Sequence, residues 1–201
     1  MIRFFDILFS ITGLIIITPF FIVFALVIAI DSRGGAFYYQ SRVGKNGKDF
    51  RLIKFRTMRI DAEKQGGLTI GARDSRITKS GYFLRKFKID ELPQLINVLK
   101  GDMSLVGPRP EIRKYVDQYT PEQRIVLTVK PGITDYASIV FMDENELLGR
   151  SSNPEKTYIE EIMPAKILLN MKYIENQGIS EYFKILSLTI FSFFCSENKK
   201  S

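Results

Sequence analysis

"ILFSITGLIIITPFFIVFALVIAI", residues 7–30, is a run of 24 residues without a charge. As one α-helix it would be about 36 Å long, enough to cross a hydrocarbon core of about 30 Å. Pro19, preceded by Thr18, sits near its middle. Proline removes an amide donor and clashes with the preceding turn. A sharp bend there leaves two halves of about 18 Å each, too short to cross alone. The chain would then return to the side it entered from. In lipid such a bend needs its freed carbonyls satisfied, and Ser10, Thr12 and Thr18 supply hydroxyls. Arg3 and Asp6 stand before the run and a strongly basic stretch follows it. On pattern alone a single span and a re-entrant hairpin both stay open. A cleaved signal peptide competes through Val27 and Ala29, but the run exceeds a usual signal core. A wholly buried helix of a soluble protein is the remaining reading.

The rest of the composition narrows the chemistry. The length of 201 residues suits one domain with a small appendage. A single cysteine, Cys195, excludes an internal disulfide framework. Histidine is absent, which excludes zinc–histidine sites, Ser-His-Asp triads and histidine bases. Carboxylates, lysines, arginines, hydroxyls or a hard metal ion must do any chemistry. Net charge is +7, and residues 33–59 hold eight basic residues against Asp49 alone. Such an excess suits anionic lipid, nucleic acid or a phosphorylated ligand, and the cytoplasmic side of a membrane segment.

Beyond the apolar run, residues 37–59 read as strand, Asn46-Gly47 turn and second strand. Lys54 and Arg56 fall on one face of that second strand, aimed together at an anion or exposed on a solvated hairpin. Residues 61–80 are polar and glycine-containing, a loop suited to lie over a site. Helical spacing returns over 82–100, started or interrupted near Asp90, and Gly101 is a stop. A polar helix is expected near 112–119. Thr120-Pro121-Glu122-Gln123 has the form of a helix start with a capping box. Residues 130–139 read as a turn into an extended or short helical segment, and 154–177 as helix. The last apolar stretch, 182–195, is too short to span and suits an interfacial or core helix.

"KIDELPQL", residues 88–95, sets Asp90 and Glu91 side by side. An ordinary role exists: Asp starts helices and Glu favours a first turn. The neighbours argue for more. Arg85, Lys86 and Lys88 precede the pair, and Pro108-Arg109-Pro110 fixes a guanidinium between two prolines. Such an arginine suits a bidentate phosphate contact or simply a rigid turn. Carboxylates among cations can bind Mg²⁺ with phosphates, and Asp is a legitimate nucleophile toward phosphorus.

The stretches "IKFRTM" (53–58), "LRKFKIDELPQLINVLKGDMSLVGPRP" (84–110) and "VKPGIT" (129–134) resemble the bacterial sugar transferases closely. More narrowly they resemble the small monotopic polyprenol-phosphate phosphoglycosyl transferases that begin glycan assembly. Thr18-Pro19 stands where these usually have Ser-Pro, and the resemblance covers most of 1–190. It implies an α+β, mostly helical fold, with a membrane re-entrant helix-break-helix hairpin (1–31) bent at Thr18-Pro19. A compact cytosolic catalytic domain (32–195) with a small β-hairpin and interfacial helices would follow, then a polar tail (196–201). Such a chain is the compact core of these enzymes, without the four-span N-terminal region of larger members.

The implied reaction moves a sugar-1-phosphate from a UDP-sugar to undecaprenyl phosphate with Mg²⁺. UMP and a polyprenol diphosphate sugar are released at the cytoplasmic face of the bacterial inner membrane, for polysaccharide, lipopolysaccharide or glycoprotein assembly. By this resemblance Asp90 is the nucleophile that carries the phosphosugar. Glu91 serves the metal site or acceptor activation, and both carboxylates are metal candidates. Arg85, Lys54, Arg56 and the Pro108-Arg109-Pro110 motif bind phosphate or nucleotide, and anionic lipid meets the basic surface. After Pro-Gly-Ile-Thr the chain has Asp135-Tyr136 where many members have Gly-Trp. That departure bears on sugar choice, not on the dyad. Two other readings remain, a non-catalytic membrane-surface scaffold and a phosphohydrolase using the same aspartate with water. Nucleic-acid binding is disfavoured, since no recognised module accompanies the basic region.

Overall fold

The computed structural model describes residues 1–62, 68–71 and 74–198. The loop expected over 61–80 and the end of the expected tail lie partly outside the described residues. Helix α1 (Ile2–Asp31) runs unbroken through Thr18 and Pro19. Two helices separated by a break were expected there; the chain forms one helix of 30 residues, about 45 Å long. The Thr18 hydroxyl donates to the Leu14 carbonyl at 2.6 Å, holding the turn that Pro19 weakens by lacking an amide. By length and composition α1 is able to cross a membrane.

Both ends of α1 are tied to the same domain. At one end Arg3 donates to the carbonyls of Val98 (2.6 Å) and Leu99 (2.9 Å). Buried Asp6 accepts from the Ser104 hydroxyl (2.9 Å), the Leu105 amide (2.9 Å) and the Tyr182 hydroxyl (3.0 Å). At the other end Asp31 accepts from the Ser80 amide and hydroxyl, both at 2.7 Å. Between them Leu14 and Ile17 pack on the core, and Phe21, Phe24 and Ile28 pack with Phe55 and Leu84. Steps of three and four residues make these one stripe of the helix. The opposite face, with Ile15 70% exposed, carries Leu8, Phe20, Ile22 and Leu26 into the open.

Strands β1 (Phe37–Val43) and β2 (Asp49–Phe55) pair antiparallel, Phe37 opposite Phe55 and Val43 opposite Asp49. The turn between them uses the left-handed backbone of Asn46 (φ 59°) and Gly47 (φ 72°), as the Asn-Gly pair predicts. Next come α2 (Lys79–Lys86) and α3 (Gln94–Lys100), the latter ended by Gly101 at φ 90°. Strand β3 (Ser104–Val106) pairs parallel with β4 (Gly132–Thr134). Between these strands lie α4 (Arg113–Val116) and a 3₁₀ turn, Gln123–Thr128. Its capping box forms: the Gln123 amide donates to the Thr120 hydroxyl, and Gln123 Oε1 accepts from the Thr120 amide.

Four further helices follow: α5 (Tyr136–Val140), α6 (Glu144–Arg150), α7 (Pro154–Thr157) and α8 (Met163–Glu175). A π turn, Tyr158–Ile162, joins α7 to α8, so the helix expected over 154–177 is present with one wide turn. Pro164 cannot donate back to the Glu160 carbonyl, and the wide turn accommodates that gap. Helix α9 (Ile179–Asn198) buries Tyr182 and Ile185 and exposes Leu188, Ile190 and Phe191. One core joins Leu52, Val98, Met103, Tyr182 and Ile185; a second joins Tyr115, Val116, Tyr158, Ile162 and Ile167. Each such aliphatic side chain contributes about 1.5–3 kcal/mol when buried. The fold is α+β and mostly helical, with two small two-stranded sheets among the described residues.

Candidate active site

A cavity of about 700 Å³ opens between β2, the α2–α3 connection, α5 and α8. Asp90 and Glu91 reach it from a single 3₁₀ turn, Ile89–Glu91. Helix α2 cannot run on into α3, because Lys88 takes left-handed backbone (φ 55°, ψ 18°) and Pro93 follows the turn. A lysine in that region costs energy that glycine would avoid, a form of strain concentrated at functional sites. Asp90 caps no helix: neither the turn nor α3 has a side-chain cap. The ordinary explanation for this aspartate therefore fails.

Arg109 and Glu91 form a two-pronged pair. Nη1 donates to Oε2 at 2.9 Å and Nη2 donates to Oε1, while Lys54 Nζ stands 3.5 Å from Oε1. Arg109 is aimed by its backbone. Its amide donates to Oδ2 of fully buried Asp135 (3.1 Å), whose Oδ1 accepts the Ser138 amide (2.6 Å) and so caps α5. Pro108 and Pro110 are buried and act through their carbonyls, which accept from the Gly132 amide (3.0 Å) and Arg42 (2.9 Å). The close approach of β3 and β4 behind them requires glycine. A Cβ on Gly132 would lie 2.1 Å from the Gly107 nitrogen.

The remaining expected residues divide. Arg85 lines the cavity, its Nε donating to Thr57 Oγ1 (3.0 Å) and Nη1 to Thr69 Oγ1 (3.3 Å). Lys54 lines it as well. Arg56 was expected to share that face and does not join them. Its guanidinium donates to the carbonyls of Gly35 (3.0 Å) and Phe37 (3.3 Å), because the strand ends at Phe55 and the chain turns. Arg56 thus ties down the α1–β1 connection.

The two carboxylates are pushed apart electrostatically. Burial, then the adjacent Glu91, raises Asp90 above the ordinary carboxylate range, and its Oδ1 has no hydrogen-bond partner. Burial also opposes the charge on Glu91, but Arg109 and then Lys54 outweigh it and hold Glu91 well below that range. Glu91 in turn raises Arg109. Lys54 is lowered from 10.5 to about 8 by burial, with Glu91 partly opposing. Arg85 is lowered by burial. Neighbouring carboxylates with diverging pKa values mark divided roles. Glu91 is the fixed anion that orders the cations; Asp90 is the desolvated oxygen left free.

For a metal, the described residues contain no cluster of three or more acidic, histidine or cysteine side chains. Mg²⁺ commonly takes only one or two carboxylates together with substrate phosphates. The free Asp90 Oδ1 beside Glu91 fits that donor set. Sequence reasoning missed a second polar wall of the cavity, formed by Arg42, Glu111, Glu144, Tyr158 and Lys166. These residues come from separate segments, and no spacing announces them. Asp135 did stand out, as a departure from the family pattern, but not as the support of Arg109.

A desolvated carboxylate facing lysine and arginines suits an anionic ligand, and the same fold carries a long apolar helix bare on one face. The chain belongs to the bacterial sugar transferase family, whose model matches residues 1–196. It is 43% identical over 138 residues to the UDP-N-acetylgalactosamine-undecaprenyl-phosphate N-acetylgalactosaminephosphotransferase of Aeromonas hydrophila, over 67% of this chain and 33% of that one. It is 34% identical over 195 residues to the UDP-glucose:undecaprenyl-phosphate glucose-1-phosphate transferase of Escherichia coli K12, over 96% and 40%. The uncharacterized sugar transferase EpsL of Bacillus subtilis is 38% identical over 194 residues, over 94% and 87%. The chain thus spans a third to two fifths of the first two relatives and most of the third.

Proposed function

We propose that the protein transfers a sugar-1-phosphate from a UDP-sugar to undecaprenyl phosphate, through a phosphosugar carried on Asp90. The observation that carries this reading is the buried Asp90 oxygen without a partner, set among Lys54, Arg85 and Arg109 in one cavity. A carboxylate oxygen free of donors is the better nucleophile, and the cations neutralise its repulsion from phosphate. Asp90 attacks the β-phosphorus, and the bond from that phosphorus to the bridging oxygen breaks. UMP leaves with that electron pair. A phosphate oxygen of the acceptor then attacks the same phosphorus, and Asp90 departs as a carboxylate, so no net proton moves. Glu91 keeps Lys54 charged and Arg109 oriented throughout. Mg²⁺, when bound, would be held by Asp90 with the donor's diphosphate and would supply further neutralisation of phosphate charge.

The relatives' names support this donor and acceptor class and differ in the sugar. We place residues 1–31 in the membrane as a re-entrant element. An upright span through both leaflets would drag the polar domain into lipid, because α1 is bonded to that domain at Arg3, Asp6 and Asp31. Held to the domain at both ends and along one stripe, α1 seats its bare apolar face in one leaflet and keeps both ends at one surface. Residues 32–195 form the catalytic domain, facing the cytoplasm of the inner membrane, where basic residues meet anionic lipid.

The test uses wild type and Asp90→Asn in detergent with Mg²⁺ and a panel of UDP-sugars, with and without undecaprenyl phosphate. Expected are UMP release and, without acceptor, a protein mass increase of one phosphosugar, both lost in Asp90→Asn. UMP release by Asp90→Asn at the wild-type rate sinks the nucleophile role. Free sugar phosphate in place of a lipid product indicates a phosphohydrolase, and no UMP from any donor leaves the scaffold.

A further inference from the structure

The phosphate chemistry leaves the second polar wall of the cavity unused. Lys166 of α8 donates to Glu144 of α6 at 2.9 Å and lies 3.9 Å from Glu111. Arg42 of β1 approaches the other Glu111 oxygen at 3.6 Å, and the Tyr158 hydroxyl donates to Glu111. Side-chain exposures of 12% for Lys166, 14% for Glu111 and 24% for Glu144 mean that these groups are sheltered yet reachable from the cavity.

The π turn shapes this wall. Eight residues along a regular helix would leave the side chains of Tyr158 and Lys166 about 80° apart. The wider turn takes up that angle, and Lys166 sits over the Tyr158 ring at 5.3 Å from its centre. The π turn and α8 therefore present Tyr158 and Lys166 to one polar surface.

Charge separates the two walls. Around the dyad, Lys54, Arg85, Lys88 and Arg109 face Asp90 and Glu91, an excess of positive charge that suits a diphosphate. At the second wall Arg42 and Lys166 balance Glu111 and Glu144. A balanced set of strong donors and acceptors suits a neutral ring whose hydroxyls both donate and accept. Uracil fits less well, because it offers one N–H against two carbonyls, and carboxylates only accept.

We propose that Glu144 and Lys166, backed by the Glu111–Tyr158 pair, bind the hydroxyls of the transferred sugar ring and thereby set donor choice. The proposal rests on the transferase reading and deepens it. A site built to hydrogen-bond hydroxyls rejects a mismatched ring because its own polar groups are left unpaired.

The experiment uses the full chain and begins with the donors that give UMP release with wild type. Failure of the transferase reading therefore appears before any variant is made. Lys166→Met, Lys166→Arg and Glu144→Gln are then compared for donor KM, for the ratio of kcat/KM between UDP-GalNAc and UDP-glucose, and for inhibition by UMP. Expected for Lys166→Met and Glu144→Gln are a donor KM raised about tenfold or more and a donor ratio flattened about tenfold. UMP inhibition, which also reports a folded site, stays within about twofold. Lys166→Arg, which keeps the charge, is expected to retain more of the discrimination than Lys166→Met. Equal losses in donor and UMP affinity in the conservative Glu144→Gln would give the wall to the nucleotide and overturn the proposal. Unchanged donor KM and donor ratio overturn it as well.

Discussion

Replacing Glu91 by Gln is expected to strip Lys54 of its charge near neutral pH. Lys54 is lowered to about 8 because burial disfavours its ammonium while Glu91, 3.5 Å away, supports it. At an effective dielectric of about 20, that separation corresponds to about 5 kcal/mol, which caps the effect at roughly three and a half pH units. Arg109, no longer neutralised, pushes the same way. Lys54 in Glu91→Gln should therefore titrate about one to three pH units lower than in wild type. The assay is the rate of amine acetylation at Lys54 against pH, read by peptide mass spectrometry on the detergent-solubilised protein. Donor KM supplies a second readout: in Glu91→Gln it should improve as pH falls from 8 to 6, while wild type changes little. The sign for stability also follows. Between about 8 and 10.5 the unfolded chain holds a proton that folded Lys54 has released. The contribution of Lys54 thus makes stability rise through that window, by about 3 kcal/mol. Identical Lys54 titrations in wild type and Glu91→Gln would refute the electrostatic account of the site.

Arg85→Ala should raise donor KM sharply, whereas Arg56→Ala should leave it within about twofold and cost about 1 kcal/mol of stability. Paired UMP-release kinetics and thermal inactivation separate the two. Asp6→Ala leaves the Ser104 hydroxyl, the Leu105 amide and the Tyr182 hydroxyl without their acceptor. A cost of about 3–5 kcal/mol is expected, read as a fall in the inactivation temperature in detergent. Gly132→Ala places a methyl 2.1 Å from the Gly107 nitrogen and should separate β3 from β4. Loss of UMP binding together with stability is expected, because Arg109 hangs from that pairing.

What the sequence made legible was local. Asn46-Gly47 declares its hairpin because few other pairs accept that backbone, and Thr120 with Gln123 declares its capping box. Gly101 marks the end of α3 for the same reason. Asp90 and Glu91 were legible as a pair, but their division was not, since it depends on Lys54 arriving from β2 and Arg109 from the loop after β3. Arg56 looked equivalent to Lys54 by alternation, and only the end of the strand at Phe55 separates them. Pro19 suggested a break, yet a helix packed along its length and braced by the Thr18 hydroxyl tolerates one missing amide. The second wall draws on Arg42, Glu111, Glu144, Tyr158 and Lys166, which meet only in three dimensions.

The attachment of Asp6 has a consequence for how the protein is made. Its partners lie 98, 99 and 176 residues further along the chain. During synthesis α1 is made well before these partners, and its carboxylate must wait without the groups that will surround it. Closing contacts of such long range is slow. Tyr182 becomes available only once everything between α1 and α9 has been made, so these two helices lock together as a late step. Until then the stripe of α1 that packs on the domain has nothing to cover it, and apolar surface left open in this way is prone to aggregation.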